Sequence, residues 1–462
     1  MTERVAGSFR DPAGFVFTRD GVLYRQVNAG FRDEFEQLHS SGLYDALVER
    51  GLLIPHERVE VEPADPATAA VVIRPQRVPF ISYPFEWSPG QLRAAALTTL
   101  EAQRLAMEHG MTLRDASAYN VQFLGGKAVL IDTLSFGTWT EGTPWVAYGQ
   151  FCRHFLAPLA LMQHVDVRLG QLSRSHLDGV PLDLAAALLP AKTKVHAGLT
   201  MHIHAHAASQ RRHADSGAEP TGSRKAPTVS RNALVGLVNS LTKAVEKQEW
   251  EPPPSAWRDY YAAKESYSDE ALAHKEELVA KVLADAAPAT VWDLGANTGR
   301  FSRLAANAGA SVVSLEMDPS AVELNWRQVV DYGDTAVLPL VCDLSNPTPA
   351  QGWGHRERES LTDRGPVDLA LALALIHHLA IGGNVPLGDV AGWFSQLCER
   401  LVIEWIPKDD PMVKRLLASR EDVFADYHQD GFEAAFGRFF TVDAREPVRA
   451  SLRTVYVLRR RD

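Results

Sequence analysis

Cysteine is scarce. The 462 residues hold three, Cys152, Cys342 and Cys398, far apart and in no CxxC pair, which argues against a disulfide framework or a cysteine zinc site and fits a reducing compartment. Positive charge is in deficit, with 47 Lys and Arg against 57 Asp and Glu and a formal net charge of −10. Non-specific nucleic-acid binding, which draws on counterion release by a cationic surface, is therefore disfavoured, while a specific RNA contact stays open. No run of 18 apolar residues occurs, and the opening MTERVAGSFRDPAG has no apolar signal core; the expectation is a soluble cytoplasmic protein without a membrane span. No internal repeat is found either. What is present is an ordinary globular composition, 46% apolar and 23% charged, on a length that predicts two or three domains.

Two breaks organise the chain. Residues 208–232, ASQRRHADSGAEPTGSRKAPTVSRN, are small and polar with no apolar periodicity, as in a linker or surface loop. Glu251-Pro-Pro-Pro-Ser255 is stiff because each proline fixes φ and disfavours helix before it. The expected division is a first domain over 1–207, a linker and connecting helix over 208–254, and a second domain over 255–462. After residue 288 short β-rich runs alternate with amphipathic helical ones, the pattern of an α/β sheet with helices between its strands. The predicted strands are Thr290–Leu294, Ser311–Glu316, Ala336–Cys342, Val367–Leu373 and Leu401–Trp405. Arg438–Asp443 and Leu452–Arg460 have no helix between them and should close the chain as a β-hairpin.

Val291–Ser302, VWDLGANTGRFS, is a buried strand running through a tight turn into a helix. Gly295 and Gly299 let backbone approach a ligand, and Asn297 tolerates a left-handed conformation. Asp293 in this loop suits a cation such as a sulfonium amino acid in place of a pyrophosphate. Seventeen positions after Gly299, Glu316 ends the next strand, where a carboxylate can take both hydroxyls of a ribose, and Asp343 follows the third strand, placed to meet an adenine amino group. The alternative is that Asp293 and Glu316 cap helices or pair with surface cations.

The series D-x-G-x-N-x-G, strand-end Glu, strand-end Asp and terminal hairpin resembles the class I S-adenosylmethionine-dependent methyltransferases over about 255–462. It departs from the commonest loop of that family, which has Gly where Asn297 stands. The resemblance implies a Rossmann-like seven-stranded sheet and S-adenosylmethionine as cofactor, held by Asp293, Gly295, Asn297, Gly299, Glu316 and Asp343. Around the fourth strand, Asp368 to His377-His378 lacks the Asn-Pro-Pro-aromatic pattern of amino-directed nucleic-acid and glutamine methyltransferases, and no cysteine follows a proline as in cytosine C5 enzymes. His377 and His378, at a strand C-terminus, are candidate general bases, because imidazole titrates near working pH; alternatively one caps a helix and the other packs. Glu404, in Glu404-Trp-Ile-Pro, is the third candidate catalytic residue. The insert after it, with Val413, Leu416, Leu417, Val423, Phe424, Tyr427, Phe432 and Phe436, is expected as a long helical lid over the sheet's C-terminal mouth. The aromatic run Trp257 to Tyr267 could fold over the donor or pack in the core.

In the first half, FTRDGVLYRQV (17–27) predicts a hairpin turning at Asp20-Gly21, followed by a helix over Phe31–Arg50. Further on, Arg114-Asp115, Asn120 and the strand-end Asp132 have the spacing of a catalytic loop and metal-binding Asp, and so resemble protein-kinase-like and aminoglycoside-phosphotransferase-like enzymes. That resemblance implies an α+β kinase-like domain with Asp115 as catalytic carboxylate, Asn120 and Asp132 as metal ligands, and ATP with Mg as cofactor. The departures are an absent G-x-G-x-x-G loop, an absent V-A-I-K lysine (Arg25 stands near its place) and Thr-Leu after Asp132; they predict a degenerate domain. Five histidines, His196, His202, His204, His206 and His213, fall close together; the alternation at 202, 204 and 206 would put three imidazoles on one face of a strand, where a metal could use them, whereas in a helix they scatter and polar structural roles are favoured, so no metal site is expected.

These features together predict a methyltransferase for O- or N-methylation of a small-molecule or carbohydrate-like (glycan) acceptor, which the N-terminal domain recognises. The alternatives are a bifunctional kinase–methyltransferase, similar in parts to polysaccharide chain-terminating enzymes, and a non-catalytic scaffold with a pseudokinase-like domain. An overall likeness to nodulation-protein-type bacterial methyltransferases leaves glycolipid or secondary-metabolite substrates open.

Overall fold

A computed structural model describes residues 2–208, 228–255, 267–418 and 420–461. Two compact units emerge, Met1–Glu251 with Gly352–Arg358, and Pro252–Gln351 with Glu359–Asp462.

The first unit begins with alternating apolar strands. β1 (Thr2–Arg4), β2 (Gly14–Arg19), β3 (Val22–Asn28), β4 (His56–Arg58) and β5 (Ala69–Pro75) form an antiparallel sheet in the order β1-β2-β3-β5-β4. Asp20 and Gly21 both have positive φ, 50° and 79°, so the expected turn has the twist that a two-residue hairpin needs. Alternation sends Val27 and Ile73 to one side with Phe31 and Phe35, and Phe17, Tyr24 and Val72 to the other. The helix expected over Phe31–Arg50 is two helices, α1 (Arg32–Ser40) and α2 (Leu43–Glu49). The break falls at Gly42, whose φ of 78° ends one helix and redirects the chain into the next. α3 (Pro89–Glu108) starts on a capping box in which Ser88 and Gln91 exchange side-chain and backbone hydrogen bonds, with Pro89 at the first helical position.

Beyond α3, two small antiparallel strand pairs frame the Asp115–Asn120 loop. β6 (Met111–Leu113) pairs with β9 (Phe136–Thr138), and β7 (Val121–Leu124) pairs with β8 (Lys127–Leu130). The helix Arg231–Glu246, capped by Ser230, packs against α3. Most of the expected linker, including His213, lies outside the described residues. His202 and His204 stand on a wide helical turn, Thr200–Ala205, with His206 next to it, so the extended arrangement is not formed. Each finds a local partner: His202 sits 2.9 Å from the Tyr148 hydroxyl, His204 2.9 Å from Thr193 Oγ1, and His206 lies edge-on to Tyr148.

Seven residues from the second half of the sequence belong to this first unit. Within Gly352–Arg358, the buried Glu357 carboxylate accepts two hydrogen bonds from Arg10, at 2.9 and 2.6 Å, and one from Trp353 N. Arg358 lays its guanidinium over the Tyr119 ring at 4.2 Å.

The second unit is a seven-stranded sheet: β10 (Thr290–Leu294), β11 (Ser311–Glu316), β12 (Val337–Val341), β13 (Val367–Ala372), β14 (Cys398–Trp405), β15 (Phe440–Pro447) and β16 (Thr454–Arg460), ordered β12-β11-β10-β13-β14-β16-β15. The first five run parallel, and β16 is antiparallel to both neighbours. The parallel strands are near-continuous apolar runs, Val-Asp-Leu-Ala-Leu-Ala in β13, as burial on both faces requires. The strand order reverses between β10 and β13, which opens a crevice at their C-terminal ends. The insert after β14 departs from the single long helix expected: it forms two short helices, Pro411–Leu417 and Gln429–Phe436, and Val423 between them is exposed. Phe432 and Phe436, four residues apart, share a helix face and pack with Trp405, Tyr456 and Phe440. The second helix is thus core against the sheet rather than a cover over its mouth. No helix among the described residues is long and apolar enough to cross a membrane.

Phe432, almost fully buried between Trp405, Phe436 and Tyr456, gives the fold a direct test. Phe432→Ala should destabilise the second unit by about 3–5 kcal/mol through lost burial and the cavity left behind, read as a lower midpoint in urea unfolding.

Candidate functional site

The C-terminal ends of β10, β11, β13 and β14 bring the expected donor and acceptor residues to one edge of the sheet. After β10 the chain turns through Gly295 (φ 80°), Asn297 (φ 53°) and Gly299 (φ 82°). A Cβ on Gly299 would lie 2.4 Å from Asn325 Oδ1 and 2.6 Å from Arg303 Nη1, so a larger residue, already strained at this φ, would have to displace both side chains. The loop is tied to the neighbouring strand: Gly295 N and Ala296 N donate to Leu315 O, and Asn297 N donates to Glu316 Oε2 at 2.9 Å. Asn297 adopts the left-handed backbone that makes this bond, where the commonest family loop has glycine.

Glu316 is buried. Its other oxygen accepts from Asp318 N at 2.9 Å, and burial, opposed by these N–H groups, pushes its pKa up to about 7. A carboxylate offers about four acceptor sites, so capacity remains for ligand hydroxyls. Asp343, half-buried just past β12, accepts from Ser345 N and Ser345 Oγ. Asp293 is turned inward: it accepts from Ser302 Oγ at 2.6 Å, which in turn accepts from Ser314 Oγ at 2.7 Å. Burial raises its pKa to about 6, against the Ser302 hydrogen bond and the charge of Lys275.

Past β13, Ala374 takes the left-handed φ of 53° and leads to His377 and His378, whose rings lie 4.0 Å apart. His377 is buried, and its Nδ1 has no partner among the described residues. Burial, then the charges of His378, Arg453 and Lys275, hold its pKa well below the usual imidazole range; burial and Arg453 bring that of His378 down to about 4. Glu404, at the end of β14, is fully buried and accepts from Lys275 Nζ at 2.7 Å, from Tyr267 OH at 2.8 Å and from Ala374 N at 2.8 Å.

The partners of Glu404 were not expected. Lys275 could have been found, since Ala271, Lys275, Val279 and Leu283 recur every four residues as the buried stripe of the helix Asp269–Ala286, and a lysine on such a stripe needs a buried acid. Arg453, which pairs with Asp410 at 2.7 Å, gives no comparable signal. Nor does Asn325, whose buried side-chain amide faces Gly299 without a protein partner among the described residues. The aromatic run before Tyr267 lies outside the described residues.

In the first unit, Asp132 forms an ion pair with Arg25 at 2.6 Å and accepts from Leu134 N and Ser135 Oγ. Asn120 donates to Ser135 Oγ, and Asp115 accepts from Ser117 N and Gln150 Nε2. Asp132, which the resemblance makes a metal ligand, is thus paired with a cation of its own unit, and among the described residues no group of three His, Cys, Asp or Glu side chains could hold a metal ion.

The strand order of the second unit, with its reversal at β10 and its antiparallel closing hairpin, is that of a class I methyltransferase. The sequence matches no protein-family model. It is 35% identical over 467 residues to nodulation protein NoeA of Rhizobium meliloti (strain 1021), an alignment covering 99% of this chain and 96% of that protein. The chain belongs to the family of nodulation protein NoeA. Among solved structures it is similar to WbdD, at 17% identity over 45% of this chain and 43% of WbdD, less than half of that chain's length, with a TM-score of 0.31. It is also similar to the N-methyltransferase NodS from Bradyrhizobium japonicum WM9, at 10% identity over 42% of this chain and 99% of that one, TM-score 0.32.

The buried Glu316 makes stability depend on pH. Its folded pKa of about 7 lies above the ordinary glutamate range, so its contribution is fully present below the unfolded pKa and is lost as pH rises through 7. Relative to Glu316→Gln, the wild-type protein should lose up to about 3 kcal/mol of unfolding free energy between roughly pH 4.5 and 8. Denaturant titrations at several pH values measure the difference.

Proposed function

We propose that the second unit is an S-adenosylmethionine-dependent methyltransferase that methylates an oxygen or nitrogen of a small-molecule or carbohydrate-like acceptor, and that the first unit is a degenerate kinase-like domain that recognises the acceptor. The observation that carries the donor reading is the Glu316 carboxylate at the end of β11, bound to the backbone of the glycine loop that follows β10, the strand at which the order reverses. The set fits this donor: glycines that admit backbone close to a ligand, a carboxylate with capacity for two ribose hydroxyls, and Asp343 for an adenine amino group. Asp293 would shape the loop from beneath. The donor's contribution is an intrinsically reactive methyl on a sulfonium.

The chain's own task is then to align the acceptor and keep water out. Neutral His377 and His378 stand at this edge, and His377 Nδ1, which has no partner among the described residues, would hold a hydroxyl or amine in line. As a general base, His378, with its pKa near 4, would have to form an imidazolium at a cost of about 4 kcal/mol at pH 7, so orienting the acceptor is the larger part of the histidines' role. The acceptor would be a compound of nodulation, the setting that the relative's name gives.

Isothermal calorimetry tests the donor reading. The wild-type protein should bind S-adenosylmethionine and its demethylated product, and Glu316→Ala should weaken binding by about 1–3 kcal/mol; unchanged affinity overturns the assignment. Incubation with methyl-labelled donor and either small-molecule extracts, protein or RNA should label only the first.

For the first unit, the Arg25–Asp132 pair supplies the contrast. Phosphoryl transfer depends on positioning and charge stabilisation around bound metal and phosphates, which carboxylates already paired within the protein do not provide. Labelled ATP should therefore transfer no phosphate to a co-purified acceptor. Transfer that disappears in Asp115→Asn or Asp132→Asn would instead favour the bifunctional reading.

A further inference from the structure

The ion network beneath the β13 loop has a role that burial alone does not explain. Lys275 and Glu404 are both withdrawn from water, with 1% and 0% of their side chains exposed, and bonded at 2.7 Å. The Tyr267 hydroxyl sits 2.8 Å from each, and the Lys275 ammonium lies over the rings of Tyr267 and Phe301. Arg453, stacked on Tyr267 at 4.3 Å, links the cluster to Asp410. Desolvation offsets most of the attraction in such a pair, and an apolar pair of similar volume is often as stable.

The remaining bond of Glu404 leads out of the cluster. Oε2 accepts from Ala374 N at 2.8 Å, and Ala374 has the left-handed φ of 53° that a residue with a Cβ adopts only at a cost. The next side chain, Leu375, occupies the space toward which a Cβ on Gly295 would project, with Cδ1, Cβ and Cγ at 3.4, 3.9 and 4.0 Å. Two residues further stands His377. A chain of contacts thus runs from Lys275 through Glu404 and the Ala374 amide to Leu375 and the glycine loop.

We propose that Glu404, charge-balanced by Lys275, is a positioning residue: by holding the Ala374 amide it keeps Leu375 seated against Gly295 and so sets the shape of the donor loop. It rests on the reading that the Gly295–Gly299 loop holds the methyl donor. Glu404 has no part in proton transfer on this account, since its oxygens are already engaged.

Two neutral pairs separate the acceptor role from the charge. Lys275→Met with Glu404→Gln removes both charges but keeps a side-chain oxygen for the Ala374 amide; Lys275→Met with Glu404→Leu removes both charges and the oxygen. In calorimetry with S-adenosylhomocysteine on the full chain, the glutamine pair should bind at least about tenfold more tightly than the leucine pair, and equal affinities would overturn the positioning role. Should the leucine pair fail to fold, Leu375→Ala, with the ion pair intact, carries the test: it should weaken binding at least about tenfold, and wild-type affinity would overturn the proposal. Absence of binding by the wild-type protein would sink the donor reading instead.

Discussion

A carboxylate whose partners among the described residues are backbone N–H groups organises the second unit. Glu316 accepts from Asn297 on one side and Asp318 on the other, so one side chain fixes both the glycine loop after β10 and the turn after its own strand. Burial raises its proton affinity, and the same desolvation that weakens it as a free anion leaves it ready to bind hydroxyl donors. The reversal of strand order beside β10 then decides where such a ligand sits, because only there do loops diverge to leave a crevice. The β13 loop completes that edge, its left-handed alanine held by Glu404.

Charge is handled differently in the first unit. Asp132 is neutralised by Arg25, and Asp115 and Asn120 are bonded to the framework around them. These polar side chains are bonded within their own unit. The Gly352–Arg358 segment adds to this closure, with Glu357 on Arg10 and Arg358 on Tyr119, one residue before Asn120. An arginine over an aromatic ring there stiffens the Asp115–Asn120 loop through cation–π attraction and packing.

Short-range periodicity and backbone chemistry make much of the second unit legible in the order of its amino acids. The seven strands of the second unit, the glycine loop with Asn297 left-handed, the closing hairpin and the Asp20-Gly21 turn follow from alternation, apolar runs and the φ tolerance of Gly, Asn and Asp over a few residues. Tertiary structure decided the pairings between groups far apart in the chain. Lys275 meets Glu404 across 129 positions and Arg10 meets Glu357 across 347, because sheet order and loop path bring them together, and a charge in the sequence carries no mark of its distant partner. The insert after β14 makes the same point: the Phe432 and Phe436 spacing announced an apolar helix face, but whether that face covered the mouth or packed on Trp405 and Tyr456 depended on where β14 and β16 had placed those rings.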